Sequence, residues 1–396
     1  MYGIGGAIGS AQTRGVRKHG VRDSIIYEAE GGFGPSGPFW LPSARRMDMV
    51  ARAYCTRNVR GYSVRLKNSL AAVAAIILIA VVSAVAAACL PDNPYQRFQL
   101  LHGTDYENLS WIYERIHYDP KPVDVAIIGP SKTLLGVSAY EVEQRLSVSG
   151  KGANVANLSI VADGRNLQSV IVHELYKTKS PRILVISVDE KPHPWGHPAF
   201  KYVAPAKEIA FPPSPFLHNY VYDLSYLPFR QIELFAAYLL PSVLGLARDF
   251  DPVHYSTTRS DFTTSFYGAE GKFVDMDRKV PEAELVTEHK IRLWNRRGSI
   301  VPRALSDVVE SDDRLYLDQI AREAAAHRTK LVFVYLPIFA GELDVGSRTY
   351  YGRYGTILDD GDLATQHSLF SHWAHLNHSG AMIVSDRIAD AIAPLL

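Results

Sequence analysis

Cysteine is almost missing: the 396 residues hold two, Cys55 and Cys89. They lie on opposite sides of, or at the very end of, the one long apolar run, so the chain beyond it has no internal pair to oxidise. A disulfide scaffold is excluded, and stability there must come from a hydrophobic core. An excess of charge of either sign is lacking as well, with 42 Lys and Arg against 41 Asp and Glu. That balance excludes a generally basic nucleic-acid binder. Hydrophobic residues at 47% and charged residues at 21% match an ordinary globular chain, not a disordered, collagenous or multispan one. No internal repeat is present. The length exceeds one typical domain of about 150 residues, leaving room for a large α/β domain with additions.

What is present begins with LAAVAAIILIAVVSAVAAACL, residues 70–90, whose only polar members are Ser83 and Cys89. As a helix it is about 31 Å long, the thickness of a bilayer core. Residues 1–69 carry 11 basic against 4 acidic side chains, and Arg52, Arg57, Arg60, Arg65 and Lys67 immediately precede the run. The positive-inside bias therefore places 1–69 in the cytoplasm and 91–396 outside, periplasmic or extracellular, behind one transmembrane helix. Two rival readings remain: cleavage of a signal peptide at Ala86-Ala87-Ala88, or lipidation at Cys89. The first 46 residues, with MYGIGGAIGS and GGFGPSGPF, are Gly-rich and aperiodic, and read as disordered. A start at Met47 or Met49 would leave a conventional basic leader. Gly3, Gly5, Gly6 and Gly9 follow no strand, so they form no dinucleotide loop.

A polar connector, residues 91–122, precedes alternating strands and helices. VDVAIIG (123–129), ANVANLSI (153–160), RILVISVD (182–189) and KLVFVYLP (330–337) read as strands. Residues 137–146, 165–176, 314–327 and 380–392 read as helices, as do short pieces at 109–116 and 231–246. Strands separated by helices predict a parallel sheet covered on both faces. Residues 191–310, rich in Pro and Tyr, read as a large irregular insertion. In such sheets the chemistry gathers at the carboxyl ends of the strands.

At the end of the first strand stands Gly129-Pro130-Ser131-Lys132-Thr133, which puts the Ser131 hydroxyl and amide on a strand-to-helix turn, the place a nucleophile needs. Turn chemistry alone explains the same tripeptide. After the second strand, Gly164 can offer a backbone N–H to an oxyanion unobstructed by a side chain. Near the C-terminus, the loop from Ser371 to Gly380 holds His372, His375 and His378. His193 and His197 are spaced four apart, but Pro192, Pro194, Gly196 and Pro198 preclude the helix a metal pair needs. His173-Glu174 lacks the second histidine of a zinc protease. Asp189 and Glu190, at a strand end, are candidates to orient substrate hydroxyls. The tyrosines of 202–267 suit sugar rings, or the packing of the insertion.

IIGPSKT, ANLSIVADG and HLNHSGA, in this order and strand context, resemble the nucleophile, glycine and histidine blocks of the SGNH (GDSL-like) hydrolase superfamily, in particular its membrane-anchored DltD-like and AlgJ/AlgX-like acyl-transfer branch. The resemblance covers about 123–190 and 312–396. It implies a three-layer αβα flavodoxin-like fold, with Ser131 as nucleophile, His375 as general base, and the Ser131 and Gly164 amides as oxyanion donors. His372 stands where the family has the aspartate that orients the imidazole, so Asp359, Asp360 or Asp362 must substitute or a Ser-His dyad must suffice. The family's block-three asparagine is absent. Asn377 and His372 are further candidates to orient or touch substrate.

The expected function is an exported, membrane-anchored O-acyltransferase, acetyl being the expected group, acting on an envelope polysaccharide or glycan. No metal or organic cofactor is required. The resemblance adds a multispan membrane acyltransferase as partner. Two alternatives stay open: a carbohydrate esterase using the same residues, and a catalytically silent glycan-binding or assembly subunit.

Overall fold

The computed structural model describes residues 69–188, 195–213, 219–268, 271–297 and 303–396. Internal contacts divide the chain into two units, Met1–Val73 and Ala74–Leu396, and the whole α/β region belongs to the second. The basic segment 1–69 lies, apart from Ser69, outside the described residues. Helix α1 (Ser69–Ala88) is 20 residues, long and apolar enough to cross a membrane, and Cys89 is exposed beyond it. Helix α2 (Pro94–Gln99) follows, capped by the Asn93 side chain, and then α3 (Asn108–His117).

The first half of the α/β region runs β1 (Val125–Ile128), α4 (Ser131–Gly136), α5 (Ala139–Val148), β2 (Val155–Asn157), α6 (Arg165–Thr178), β3 (Ile183–Ser187). The helix expected over 137–146 is α5, its start set by Ser138, which accepts from the Glu141 amide at 3.3 Å; the short α4 before it was not expected. The insertion, expected to be irregular, is largely helical among the described residues. It contains α7 (Phe200–Val203), α8 (Ala206–Ala210), α9 (Tyr220–Leu239), α10 (Pro241–Leu244), a small hairpin of β4 (Phe266–Tyr267) and β5 (Phe273–Val274), and α11 (Glu282–Arg297). The chain then returns through α12 (Arg303–Ala326), β6 (Lys330–Tyr335), α13 (Val345–Tyr351), β7 (Thr356–Asp359), β8 (Phe370–His372), β9 (His375–Leu376) and α14 (His378–Ile392).

Five strands form one parallel sheet in the order β2-β1-β3-β6-β7. Alternate residues of the central strands face opposite sides. Ala126, Ile128, Leu184, Ile186 and Phe333 pack with α3, α6 and α12, whereas Val125, Ile127, Ile183, Val185 and Val332 pack with α5 and α14. Both faces are covered, which is why β1 and β3 are buried end to end and read as unbroken apolar runs. Strand β7 escapes such a reading, since at the sheet edge its residues are only partly buried. β1 has β2 on one side and β3 on the other, so the connections leave it in opposite directions and open a crevice at the carboxyl ends of these strands.

Candidate active site

Ser131 is the first residue of α4, two residues beyond Gly129, at that crevice. The approach is tight. A Cβ on Gly129 would collide with Thr133 Oγ1 and lie 2.7 Å from the Ser187 Cβ on β3, so only glycine lets the turn settle against the neighbouring strand. Lys132 donates from Nζ to the Val188 carbonyl at 3.1 Å, and Arg165 donates to that of Ser187 at 3.1 Å. Two cations therefore close the carboxyl end of β3.

The histidines arrive from the other end of the chain. β8 and β9 pair antiparallel with His372 opposite His375, joined by only Trp373 and Ala374. Cross-strand partners in such a hairpin share a face, and the two imidazoles stand 5.7 Å apart with their planes inclined by 29°. Ser371 Oγ braces the hairpin by donating to the Leu376 carbonyl at 3.3 Å. Asn377, expected to face or orient substrate, is buried and instead fixes the loop. Its side chain accepts from the Gly380 amide at 3.1 Å and donates to the Ser368 carbonyl at 2.7 Å, capping α14.

This bracing brings His375 Nε2 to 3.0 Å from Ser131 Oγ, across 244 positions of sequence. Burial, with His372 and then Lys132 adding to it, pushes the His375 imidazole down to about 3. It is neutral at physiological pH, with a lone pair available to a hydroxyl proton. No protein-family model matches this chain, and no curated protein matches it either.

Asp359, Asp360 and Asp362, the carboxylates considered as partners for the imidazole, are engaged elsewhere. Asp360 and Asp362 hold Arg387 of α14 at 2.9 and 2.7 Å, and Asp359 pairs with Arg348. Beside the histidines stands a carboxylate that the sequence did not reveal, Glu288 on α11. Its Oε2 is buried without a hydrogen-bond partner and lies 3.9 Å from His372 Nε2. The Ala374 amide donates to His372 Nδ1 at 3.4 Å, which leaves the proton of the neutral ring on Nε2, facing Glu288. Burial lowers the His372 pKa and Glu288 opposes that shift.

Gly164 enters α6 with φ of +153°, where a Cβ would collide with the His197 backbone. Ala162, two residues earlier, is also left-handed at φ +68°, so the loop after β2 is held under strain, a common property of functional loops. His197 is no ligand. Nε2 contacts the Val161 carbonyl at 2.8 Å and Nδ1 accepts from the Ala199 amide at 3.0 Å; burial lowers its pKa to about 4. His173 pairs with Glu323 at 2.7 Å, and His378 Nδ1 contacts the Thr263 carbonyl at 3.2 Å. Among the described residues no group of three His, Cys, Asp or Glu side chains could hold a metal. Asp189, Glu190 and His193 lie outside the described residues. A separate cavity of about 290 Å³ lies beside β2, between Trp111, Tyr140 and Arg259; Ser131 and His375 are not among the residues that line it.

Proposed function

We propose that the chain is a bitopic envelope protein with an SGNH-like domain that moves an acyl group onto, or off, a polysaccharide or related glycan. The observation that carries this reading is the 3.0 Å contact between Ser131 Oγ and His375 Nε2, formed at the crevice where the strand order reverses. The order β2-β1-β3-β6-β7 supports a flavodoxin-like assignment, since counting only the five strands of that sheet it reads 2-1-3-4-5.

In this mechanism His375 Nε2 takes the Ser131 proton as Oγ attacks the acyl carbonyl. The amides of Ser131 and Gly164 hold the resulting oxyanion. Collapse of the tetrahedral intermediate expels the donor's alkoxide or thiolate, which leaves with the proton from His375, and an acyl ester remains on Ser131. A sugar hydroxyl then attacks that ester, giving its proton to His375, which returns it to Ser131 Oγ as the acylated sugar departs. Water in place of the sugar makes the same residues an esterase. Glu288 acts through His372, as a positioning carboxylate 3.9 Å from its Nε2. A multispan membrane acyltransferase is the proposed source of acyl groups.

The test is labelling by a serine-directed fluorophosphonate. Wild type labels at Ser131; Ser131→Ala abolishes labelling, and His375→Ala slows it by about 10² or more, both with unchanged folding. Failure of the wild-type chain to label at Ser131 would leave the silent binding module standing.

A further inference from the structure

Helix α9 is inside out. Its face toward the domain carries Asp223, Arg230 and Gln231 beside Leu227 and Leu234, all buried, whereas the solvent side shows Val221, Leu224, Phe229, Ile232 and Leu239, continued by Leu240 just past its end, with Val221 76% and Phe229 69% exposed. Arg230 is completely buried, its guanidinium donating to the Lys201 and Ala204 carbonyls at 2.9 and 2.7 Å. Of the three acidic and basic residues in α9, only Glu233 is exposed. A helix bathed in water shows the opposite arrangement, and contiguous apolar surface of this kind marks a docking face.

What covers it is indicated by where it sits. The buried Gln231 donates from Nε2 to the Leu90 carbonyl at 2.9 Å, two residues past the end of α1. Asn93 and Gln96, a few residues after that exit, donate to the Arg248 and Ala237 carbonyls at 2.8 and 3.2 Å. The point where the candidate span ends is therefore fastened to the inner face of α9. On its flanks α9 carries Tyr222 and Tyr238, both exposed, with Arg248 over the Tyr238 ring at 4.8 Å and the buried Lys201 over that of Tyr222 at 3.9 Å. Tyrosines and cations at the border of an apolar surface are the pattern of a membrane interface.

We infer that the outer face of α9 is seated in the interfacial layer of the bilayer that α1 crosses, holding the domain down beside its anchor. The inference rests on α1 being a membrane span. It does not depend on which side the domain occupies.

The experiment uses the full chain, with both cysteines replaced by serine and single cysteines introduced at Phe229→Cys, Ile232→Cys, Ile79→Cys in α1 and Val148→Cys, an exposed position at the end of α5. Each is labelled with an environment-sensitive fluorophore and reconstituted into phosphatidylcholine–phosphatidylglycerol vesicles. Positions 229 and 232 are expected to be quenched by doxyl-labelled lipid, as position 79 is, and to be protected several-fold from aqueous iodide relative to position 148. Iodide quenching at 229 and 232 equal to that at 148, with 79 still quenched by lipid, would overturn the seating and leave the span intact. Absence of lipid quenching at 79 would overturn the span reading and the seating with it. Protection of 229 and 232 from both quenchers would mean that a second copy of this chain covers the face, and would equally overturn the inference.

Discussion

In the proposed mechanism His375 and Glu288 set the chemistry at the scale of the residue. A histidine held at about 3 by burial stays unprotonated well below the ordinary 6.5, so its capacity as a base is already complete at mildly acidic pH. Fluorophosphonate labelling of Ser131 is accordingly expected to be flat from pH 5 to 8. A rate that halves near pH 6.5 would show an imidazole in an ordinary environment. Glu288→Gln keeps the shape of the side chain and removes its charge, and is expected to slow labelling by less than the loss of His375 itself. His372→Asp alone sets two carboxylates near each other, and their repulsion favours protonation of one. The combined His372→Asp, Glu288→Gln variant should therefore label faster than His372→Asp. Equal rates would mean that Glu288 does not act on position 372. The sequence concealed this glutamate because it lies in the stretch 191–310, read as an irregular insertion, and only the fold-back of α11 places residue 288 beside 372.

At the scale of the element, the turn between β1 and α4 and the hairpin β8–β9 do the positioning. Gly129 permits the first by its lack of a side chain, with the Thr133 hydroxyl and Ser187 Cβ filling the space. Gly129→Ala is expected to cost about 1–3 kcal/mol, the range for overpacking a close contact. It should lower the denaturant midpoint and reduce labelling more than the stability loss explains, because α4 must move and Ser131 with it. Unchanged midpoint and labelling would show that the turn yields freely. The hairpin depends instead on side-chain bonds, those of Ser371 and Asn377. In the sequence Asn377 resembled a substrate-facing residue; its bonds to backbone at both ends of the loop give it the work of a cap.

At the scale of the whole molecule, the uncharged α1 and the charge bias before it make an orientation testable. Reporter fusions after Leu90 are expected to be active only where the reporter works outside the cytoplasm. Activity of a cytoplasmic reporter there would reverse the orientation while leaving α1 as a span. Within the domain, both ends of the α/β region meet at one crevice because the parallel sheet gathers all its carboxyl ends on one edge. The intervening insertion contributes α9 near the exit of α1 and α11 near the histidines.

Much of this architecture is determined locally and was legible as such. Buried central strands such as 125–128 and 183–187 are unbroken apolar runs, and an uncharged stretch of bilayer length follows from composition alone. Ser131 and Gly164 could be singled out because strand ends and glycine turns are encoded by neighbouring residues, whereas His375 was set apart from His372 and His378 only by the resemblance of its block to a known family. Tertiary structure alone decided the rest. The distance from Ser131 to His375, the commitment of Asp359, Asp360 and Asp362 to arginines, the nearness of Glu288 to His372, and the outward turn of the apolar face of α9 are contacts between remote segments. An edge strand like 356–359 and a helix with its polar residues inward lack the periodic signature of burial, since which side is inside is set by what packs against them and not by their own sequence.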